Sequence, residues 1–101
     1  MAEVEIEKKG NIFIVKLNDS LNGNVLNKSS LSAHCSILTK LESVKNNSAV
    51  IVTSIDPKSW CLGLDFEWIE SQSKKEFEKT FKDLEEVFGR WAMLPLPTIA
   101  C

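Results

Sequence analysis

The residue types with the clearest chemical potential follow one another between residues 51 and 66. A run rich in β-branched residues, Ile51-Val52-Thr53-Ser54-Ile55, leads into a loop whose last part is the turn Gly63-Leu64-Asp65. A helix is expected to start at that turn, and the first N–H groups of a helix lack partners while its dipole favours anions. The pattern therefore predicts a backbone N–H that can hold a developing negative charge, which is half of an oxyanion hole.

The same turn also has a purely structural interpretation. Gly63 would then occupy a backbone conformation that other residues avoid, and Asp65 would cap the helix. Short connections of this kind are common between strands and helices. The turn alone leaves both interpretations open.

Other candidate residues are weaker. His34 is the only histidine, and no serine, cysteine or acid stands at a spacing that would make it part of a catalytic set, so an ordinary helix residue is expected. Glu67 and Glu70 stand three apart and are expected on a solvated helix face. No acids cluster with His or Cys at ligand spacing, so no metal site is expected.

Composition places the chain among globular domains. It has 101 residues, of which 44% are hydrophobic and 26% charged, with a formal net charge of -2, so one domain at most fits. The 12 basic and 14 acidic residues are interspersed, which argues against nucleic acid or an anionic membrane as partner. No apolar run approaches the length of a membrane span.

The amino terminus and the cysteines bear on the cellular compartment in which the protein is expected. Residues 1–7 alternate acidic and apolar side chains, unlike a secretory signal or a mitochondrial presequence, so the segment is interpreted as mature sequence. Cys35, Cys61 and Cys101 form no CxxC pair and are expected to be free thiols that serve in packing. An intracellular location, cytoplasmic or peroxisomal, is expected.

Periodicity predicts an α/β chain. Val4 and Ile6 alternate with acidic residues, and an apolar run over residues 12–17 follows Lys9-Gly10-Asn11, so a β-hairpin is predicted. Residues 18–27 are predicted to form an Asn-rich loop. A helix is predicted over residues 29–44. A strand is predicted over residues 49–53, and its almost uniformly apolar composition indicates that both of its faces are buried, as in a parallel sheet. A capping box at Ser73 begins a longer helix reaching Met93, and a further strand starts at Thr98.

One face of the longer helix carries a stripe of large apolar residues. The stripe comprises Phe77, Phe81, Leu84, Phe88 and Trp91, at steps of four, three, four and three. Such a stripe is usually core, so burial is the prediction. The alternative is that the stripe lines a pocket for an apolar chain.

Four motifs follow one another along the chain: Asn24-Val25-Leu26, Val50-Ile51-Val52-Thr53-Ser54, Lys58-Ser59-Trp60-Cys61-Leu62-Gly63-Leu64-Asp65 and Leu96-Pro97-Thr98-Ile99-Ala100. Their combination and spacing resemble the crotonase superfamily, the enoyl-CoA hydratases and isomerases, over the entire chain. The Gly-Leu-Asp version followed by Phe66-Glu67-Trp68-Ile69 and the segment Trp91-Ala92-Met93-Leu94-Pro95-Leu96-Pro97 are more similar to the isomerase branch. Members of that branch move a β,γ double bond of an acyl-CoA into α,β conjugation.

The resemblance implies roles for individual residues. Leu64 would donate its backbone N–H to the thioester oxygen, and the substrate-binding residues would be Trp60, Leu62, Gly63, Leu64, Asp65 and Phe66. Val25 and Lys58 would lie where the nucleotide end of CoA passes. Cys61 and Leu62 stand where the family mostly has small residues, and their bulk would narrow the pocket. The CoA thioester would be the substrate, with no separate cofactor.

The resemblance also implies what the 101 residues represent. They would be the amino-terminal, partial acyl-CoA-binding domain of a ββα spiral, and the second oxyanion donor and the catalytic acid would lie beyond Cys101. The longer form would be a homo-oligomer. Two functional classes stay open: part of an enzyme of fatty acid metabolism, or a truncated, non-catalytic chain that binds acyl-CoA weakly or pairs with a complete subunit.

Overall fold

The fold begins with a β-hairpin. A computed structural model describes residues 3–101; Met1 and Ala2, the start of the segment interpreted as mature sequence, lie outside the described residues. β1 (Val4–Lys9) and β2 (Ile12–Leu17) pair antiparallel from Val4 opposite Leu17 to Lys9 opposite Ile12. The predicted hairpin is thus confirmed, with its turn at Gly10 and Asn11.

A helical crossover follows the hairpin. α1 (Lys28–Glu42) begins with a capping box in which Asn27 accepts from the Ser30 N–H and the Ser30 hydroxyl accepts from the Asn27 N–H. β3 (Ala49–Ser54) then pairs parallel with β2. The predicted helix over residues 29–44 therefore ends two residues earlier than expected, where Ser43 turns the chain.

The second half of the chain carries two helices and a short strand. α2 (Phe66–Glu70) and α3 (Lys74–Ala92) follow β3, and β4 (Thr98–Ala100) pairs parallel with β3 to complete a sheet of order β1-β2-β3-β4. Ser73 and Glu76 form the predicted capping box of α3. Met93 caps the carboxyl end of that helix, in agreement with the predicted end.

One face of the sheet packs against α1 and the segment after α3. The buried cluster contains Val4, Val15, Leu17, Ile37, Leu41, Val50, Val52, Leu94 and Leu96. The opposite face of β3 is only partly covered, since Ile51 is half-buried and its neighbour in β4, Ile99, is 53% exposed. The expectation that both faces of β3 are buried is therefore wrong in this chain, because only one face carries helices.

The apolar stripe of α3 is also not buried as predicted. Phe77, Phe81 and Phe88 are exposed, and the buried residues of α3 are Thr80, Leu84 and Val87. The packed face is rotated towards α1, where Val87 and Leu84 join Leu26, Leu31 and Leu38 in a second buried cluster. Only Leu84 and the half-buried Trp91 of the predicted stripe contact the core.

An ion pair crosses from α3 to α1. The Arg90 guanidinium donates to both carboxylate oxygens of Glu42, at 3.0 and 2.8 Å, and also to the Thr39 hydroxyl. These bonds hold the pKa of Glu42 below its ordinary value. Within residues 3–101, no helix is both long enough and apolar enough to cross a membrane.

Candidate functional site

The loop after β3 is held by a side-chain turn. The Asp56 carboxylate accepts from the Lys58 N–H at 2.9 Å and from the Ser59 hydroxyl at 3.0 Å. The Lys58 N–H and the Ser59 hydroxyl together keep the pKa of Asp56 below its ordinary value. The loop and the end of β4 border a groove of about 260 Å³, whose lining includes Trp60, Lys58 and Cys101.

The turn that follows runs beside the end of the Asn-rich loop. The Leu62 N–H donates to the Gly23 carbonyl at 3.0 Å, and the Leu26 N–H donates to the Gly63 carbonyl at 2.7 Å. The Asp65 N–H completes the set by donating to the Leu26 carbonyl at 3.0 Å. Residues 23–26 and 62–65 thus form a short parallel pairing centred on Leu26 and Leu64.

This pairing fixes the direction of the Leu64 N–H. In a parallel pairing, the residue between two bonded positions turns its own N–H and C=O to the opposite side. Leu26 bonds to Gly63 and Asp65, so the Leu64 N–H points away from residues 23–26. Among residues 3–101 no group accepts a hydrogen bond from it. The Leu64 side chain packs against the second buried cluster, which anchors the donor from behind.

Gly63 makes this geometry possible. Its φ is +93°, a conformation that residues with a Cβ rarely adopt, and no atom lies within 4 Å of the position that a Cβ would occupy. The backbone conformation, rather than lack of space, is the reason for glycine here. The open space beside Gly63 would let a ligand approach the backbone closely.

Asp65 and Phe66 continue the turn into α2. The Asp65 carboxylate accepts from the N–H groups of Glu67 and Trp68, so Asp65 is the helix cap that the sequence predicts. Phe66 is 80% exposed and Leu62 is 68% exposed. Both therefore present exposed apolar surface within two residues of Leu64 along the chain.

The two residues predicted to lie near CoA belong to different segments of the chain. Val25 belongs to the segment paired with residues 62–65, and its carbonyl accepts from the Ser30 hydroxyl. Lys58 is exposed in the loop after β3 and lines the same groove as Trp60. The structure thus brings Trp60, Leu62, Gly63, Leu64, Asp65 and Phe66 into one continuous turn, with Val25 beside it and Lys58 at its edge.

Asn24 is a residue that sequence reasoning named only as part of a motif. It is buried at 7% exposure and has a φ of 55°. Its side-chain amide donates to the Ser54 hydroxyl at 2.9 Å and to the Trp60 carbonyl at 3.0 Å. The signal available in the sequence was the pair Gly23-Asn24, because both residue types tolerate positive φ.

His34 takes no part in this turn. Its Nδ1 accepts a hydrogen bond from the Trp91 indole N–H at 3.2 Å, and the two rings meet edge to face at 6.1 Å. Burial lowers the pKa of His34. Residues 3–101 contain no group of three or more His, Cys, Asp or Glu side chains that could hold a metal ion. Cys35 and Cys61 are half-buried free thiols packed against the second cluster, whereas Cys101 is exposed.

Solved structures share this architecture. An enoyl-CoA hydratase from Mycobacterium smegmatis matches 97% of this chain with a TM-score of 0.90 and 23% identity. One from Bacillus anthracis matches 97% with a TM-score of 0.89 and 21% identity, and one from Thermoplasma volcanium matches 99% with 0.87 and 20%. The matched region is 38%, 38% and 40% of those chains, so this chain spans about two fifths of their length.

The sequence comparison agrees with the structural one. No curated protein sequence matches the chain significantly. The model of the family described as "Enoyl-CoA hydratase/isomerase" matches residues 7–101, nearly the whole chain. The chain therefore belongs to the enoyl-CoA hydratase/isomerase family, and its fold is the amino-terminal portion of the crotonase fold.

Proposed function

We propose that these residues form the acyl-CoA-binding part of an enoyl-CoA isomerase or hydratase, as part of a longer protein in acyl-CoA metabolism. The observation that carries the proposal is the Leu64 N–H, which has no acceptor among residues 3–101 and points away from residues 23–26. A preorganised, unsatisfied N–H beside open space is what a thioester oxygen requires as a donor. Leu62, Phe66 and Trp60, in the same segment of the chain, expose apolar side chains.

The chemistry proposed is stabilisation of an enolate. In the isomerase reaction a carboxylate removes a proton from the α carbon, the charge moves to the thioester oxygen, and the proton returns at the γ carbon. The double bond thereby moves from β,γ to α,β. In the hydratase reaction, water adds across an α,β double bond, and the same oxygen carries charge as the new bond forms at the β carbon. We favour the isomerase because residues 63–69 and 91–97 are more similar to that branch.

The direction of the sheet supports a complete site at this edge. Because β3 and β4 are parallel, their carboxyl ends lie together, and the Cys101 N–H donates to the Val52 carbonyl at 2.8 Å. Residues following β4 would leave the sheet beside the groove that Trp60 lines. The proposal assigns the second N–H donor and the acidic base to such residues. We also propose that the longer protein forms a homo-oligomer and is located in the cytoplasm or the peroxisome.

A second candidate function is non-catalytic: a product that binds acyl-CoA weakly or pairs with a complete subunit. The chain spans about two fifths of the length of the solved relatives, and this coverage fits either candidate. Sequencing the native transcript across the codon for Cys101 separates the two. A reading frame that continues into a glycine-rich segment supports the enzyme, and a stop codon there supports the alternative.

The test of the site is a comparison of three variants of the longer enzyme. Gly63→Val should lower the turnover number by about 100- to 1,000-fold, because loss of one oxyanion donor has that effect. Glu67→Ala and Glu70→Ala are matched controls from the adjoining helix and should retain activity. Activity that survives Gly63→Val but falls in Glu67→Ala would show that the site has been assigned to the wrong residues.

A further inference from the structure

Asn24 uses all of its polar groups to join three segments of the chain. The Asn24 Oδ1 accepts from the Asp19 N–H at 2.7 Å, and its backbone N–H donates to the Asp19 carbonyl at 2.9 Å. Its Nδ2 donates to Ser54 at the end of β3 and to the Trp60 carbonyl. The Asn24 carbonyl accepts from the Cys61 thiol at 3.2 Å. The Asn-rich loop, β3 and the loop before the turn therefore meet at one buried side chain.

These contacts lie directly before the pairing that aims the Leu64 N–H. The bond from Asn24 to the Trp60 carbonyl holds the chain two residues before Leu62, whose N–H donates to the Gly23 carbonyl. The Leu62 side chain also lies on Gly23, since a Cβ added there would clash with a Leu62 methyl carbon. The register of residues 62–65 on residues 23–26 thus depends on where Asn24 places the preceding loop.

The backbone of Asn24 is in the left-handed region, which L-residues adopt at a cost unless local bonds compensate. An asparagine tolerates that region better than most residues, and a glycine tolerates it at no cost. Asn24→Gly therefore removes the side-chain bonds and keeps the backbone conformation accessible, which separates the two contributions.

We propose that Asn24 is a positioning residue that sets the direction of the Leu64 N–H through the loop at Trp60 and Cys61. The inference rests on the proposed function, because that direction matters only if the N–H meets a thioester oxygen. Asn24 does not itself contact the reacting atoms. Its amide restrains the loop from which the turn starts, and without it the Leu64 N–H samples other directions.

The first measurement needs no ligand. Hydrogen exchange of the 101-residue chain is followed at the amides of Leu62 and Asp65, at a concentration where the chain sediments as one species. Asn24→Gly should speed their exchange by about tenfold, as expected when a local restraint is lost, and leave Val52 in the core strand unchanged. The matched control is Asn22→Gly in the same loop, because the Asn22 side chain is exposed and bonds only to the Asp19 carboxylate.

The second measurement reports the carbonyl itself. Hexa-2,4-dienoyl-CoA is the probe, because hydrogen bonding to its thioester oxygen moves the absorption of the conjugated system to longer wavelength. At saturating probe, the wild-type chain and Asn22→Gly should give the same red shift, and Asn24→Gly should give less than about half of it, since the donor is no longer preorganised. A merely structural role would weaken binding without changing the spectrum of the bound probe.

The outcomes separate the two claims. An unchanged spectrum of the bound probe in Asn24→Gly, with the wild-type shift present, would overturn the positioning role alone. No red shift with the wild-type chain would overturn the proposed function and this inference with it. If Asn24→Gly fails to fold, Asn24→Asp replaces it: the carboxylate keeps an acceptor for Asp19 but has no donor for the Trp60 carbonyl. It should show the same faster exchange and smaller shift, and wild-type behaviour would overturn the inference.

Discussion

Replacing glycine by alanine should have opposite effects on stability at Gly63 and Gly89, although both glycines have open space around them. Neither Gly63 nor Gly89 has an atom within 4 Å of an added Cβ. Gly63→Ala should destabilise the chain by about 1 to 3 kcal/mol, because its φ of +93° strains any residue with a Cβ. Gly89→Ala, inside α3, should stabilise it by about 0.5 to 1 kcal/mol. Urea unfolding measures both, and equal effects would show that φ at Gly63 is not the constraint.

The size of the Leu62 side chain is expected to limit which acyl groups the site accepts. It is 68% exposed and lies over Gly23, so Leu62→Ala should change stability by no more than about 0.5 kcal/mol. In the longer enzyme the same change should widen acyl-CoA use, because Leu62 stands where the resemblance to the family implies a small residue. Relative kcat/KM for short and long acyl chains is the measurement. An unchanged preference would place Leu62 outside the pocket.

At the scale of elements, the packing of α3 on α1 should depend on pH. Trp91 donates to the neutral His34 imidazole, and burial lowers the pKa of His34 in the folded state. As the pH falls, His34 is protonated at a higher pH in the unfolded chain than in the folded one. The contribution of His34 to the free energy of unfolding is therefore constant above a pH of about 6.5 and declines below it. The urea midpoint at pH 7.5 and 5.5 measures the effect.

The control for this pH dependence is His34→Gln, which has no titrating ring. In this variant the urea midpoint should fall less between pH 7.5 and pH 5.5 than it does in the wild type. Glu42, paired with Arg90 on the same two helices, has a lowered pKa and titrates well below this window. An equal decline in wild type and His34→Gln would show that the imidazole is not responsible.

At the scale of the whole molecule, the 101 residues should be inactive alone and prone to self-association. The proposed base and second donor are not among them, and β4 is exposed at the edge of the sheet with Ile99 half uncovered. Unpaired strand edges beside apolar surface promote association. Enoyl-CoA turnover should not exceed background, and sedimentation should depend on concentration. Ile99→Lys should reduce association.

Measured turnover together with a cooperative melt as a monomer would contradict both parts of this expectation. The pairing of β3 with β4 by itself is local to three residues in each strand. The outer face of this pair is only partly covered, since Ile51 is half-buried and Ile99 is 53% exposed.

The sequence by itself determined the elements, their order and their caps. The hairpin, the capping box at Ser73 and the cap at Asp65 depend on residues within a few positions of each other, so local pattern predicts them. The family resemblance likewise followed from motifs read along the chain.

Only the tertiary structure decided which face of α3 is buried. Phe77, Phe81 and Phe88 have helical spacing, but so do Thr80, Leu84, Val87 and Trp91, and the two stripes share Leu84 and Trp91. Spacing cannot choose between overlapping faces; contact with α1 does.

The direction of the Leu64 N–H and the role of Asn24 also depended on the tertiary structure. Asn24 reaches Ser54 and Trp60 across 30 and 36 positions, and Trp91 reaches His34 across 57. Such contacts depend on how the elements pack, and no local propensity encodes them. The sequence identified the turn that carries the donor, and the packing of residues 23–26 against it decided where the donor points.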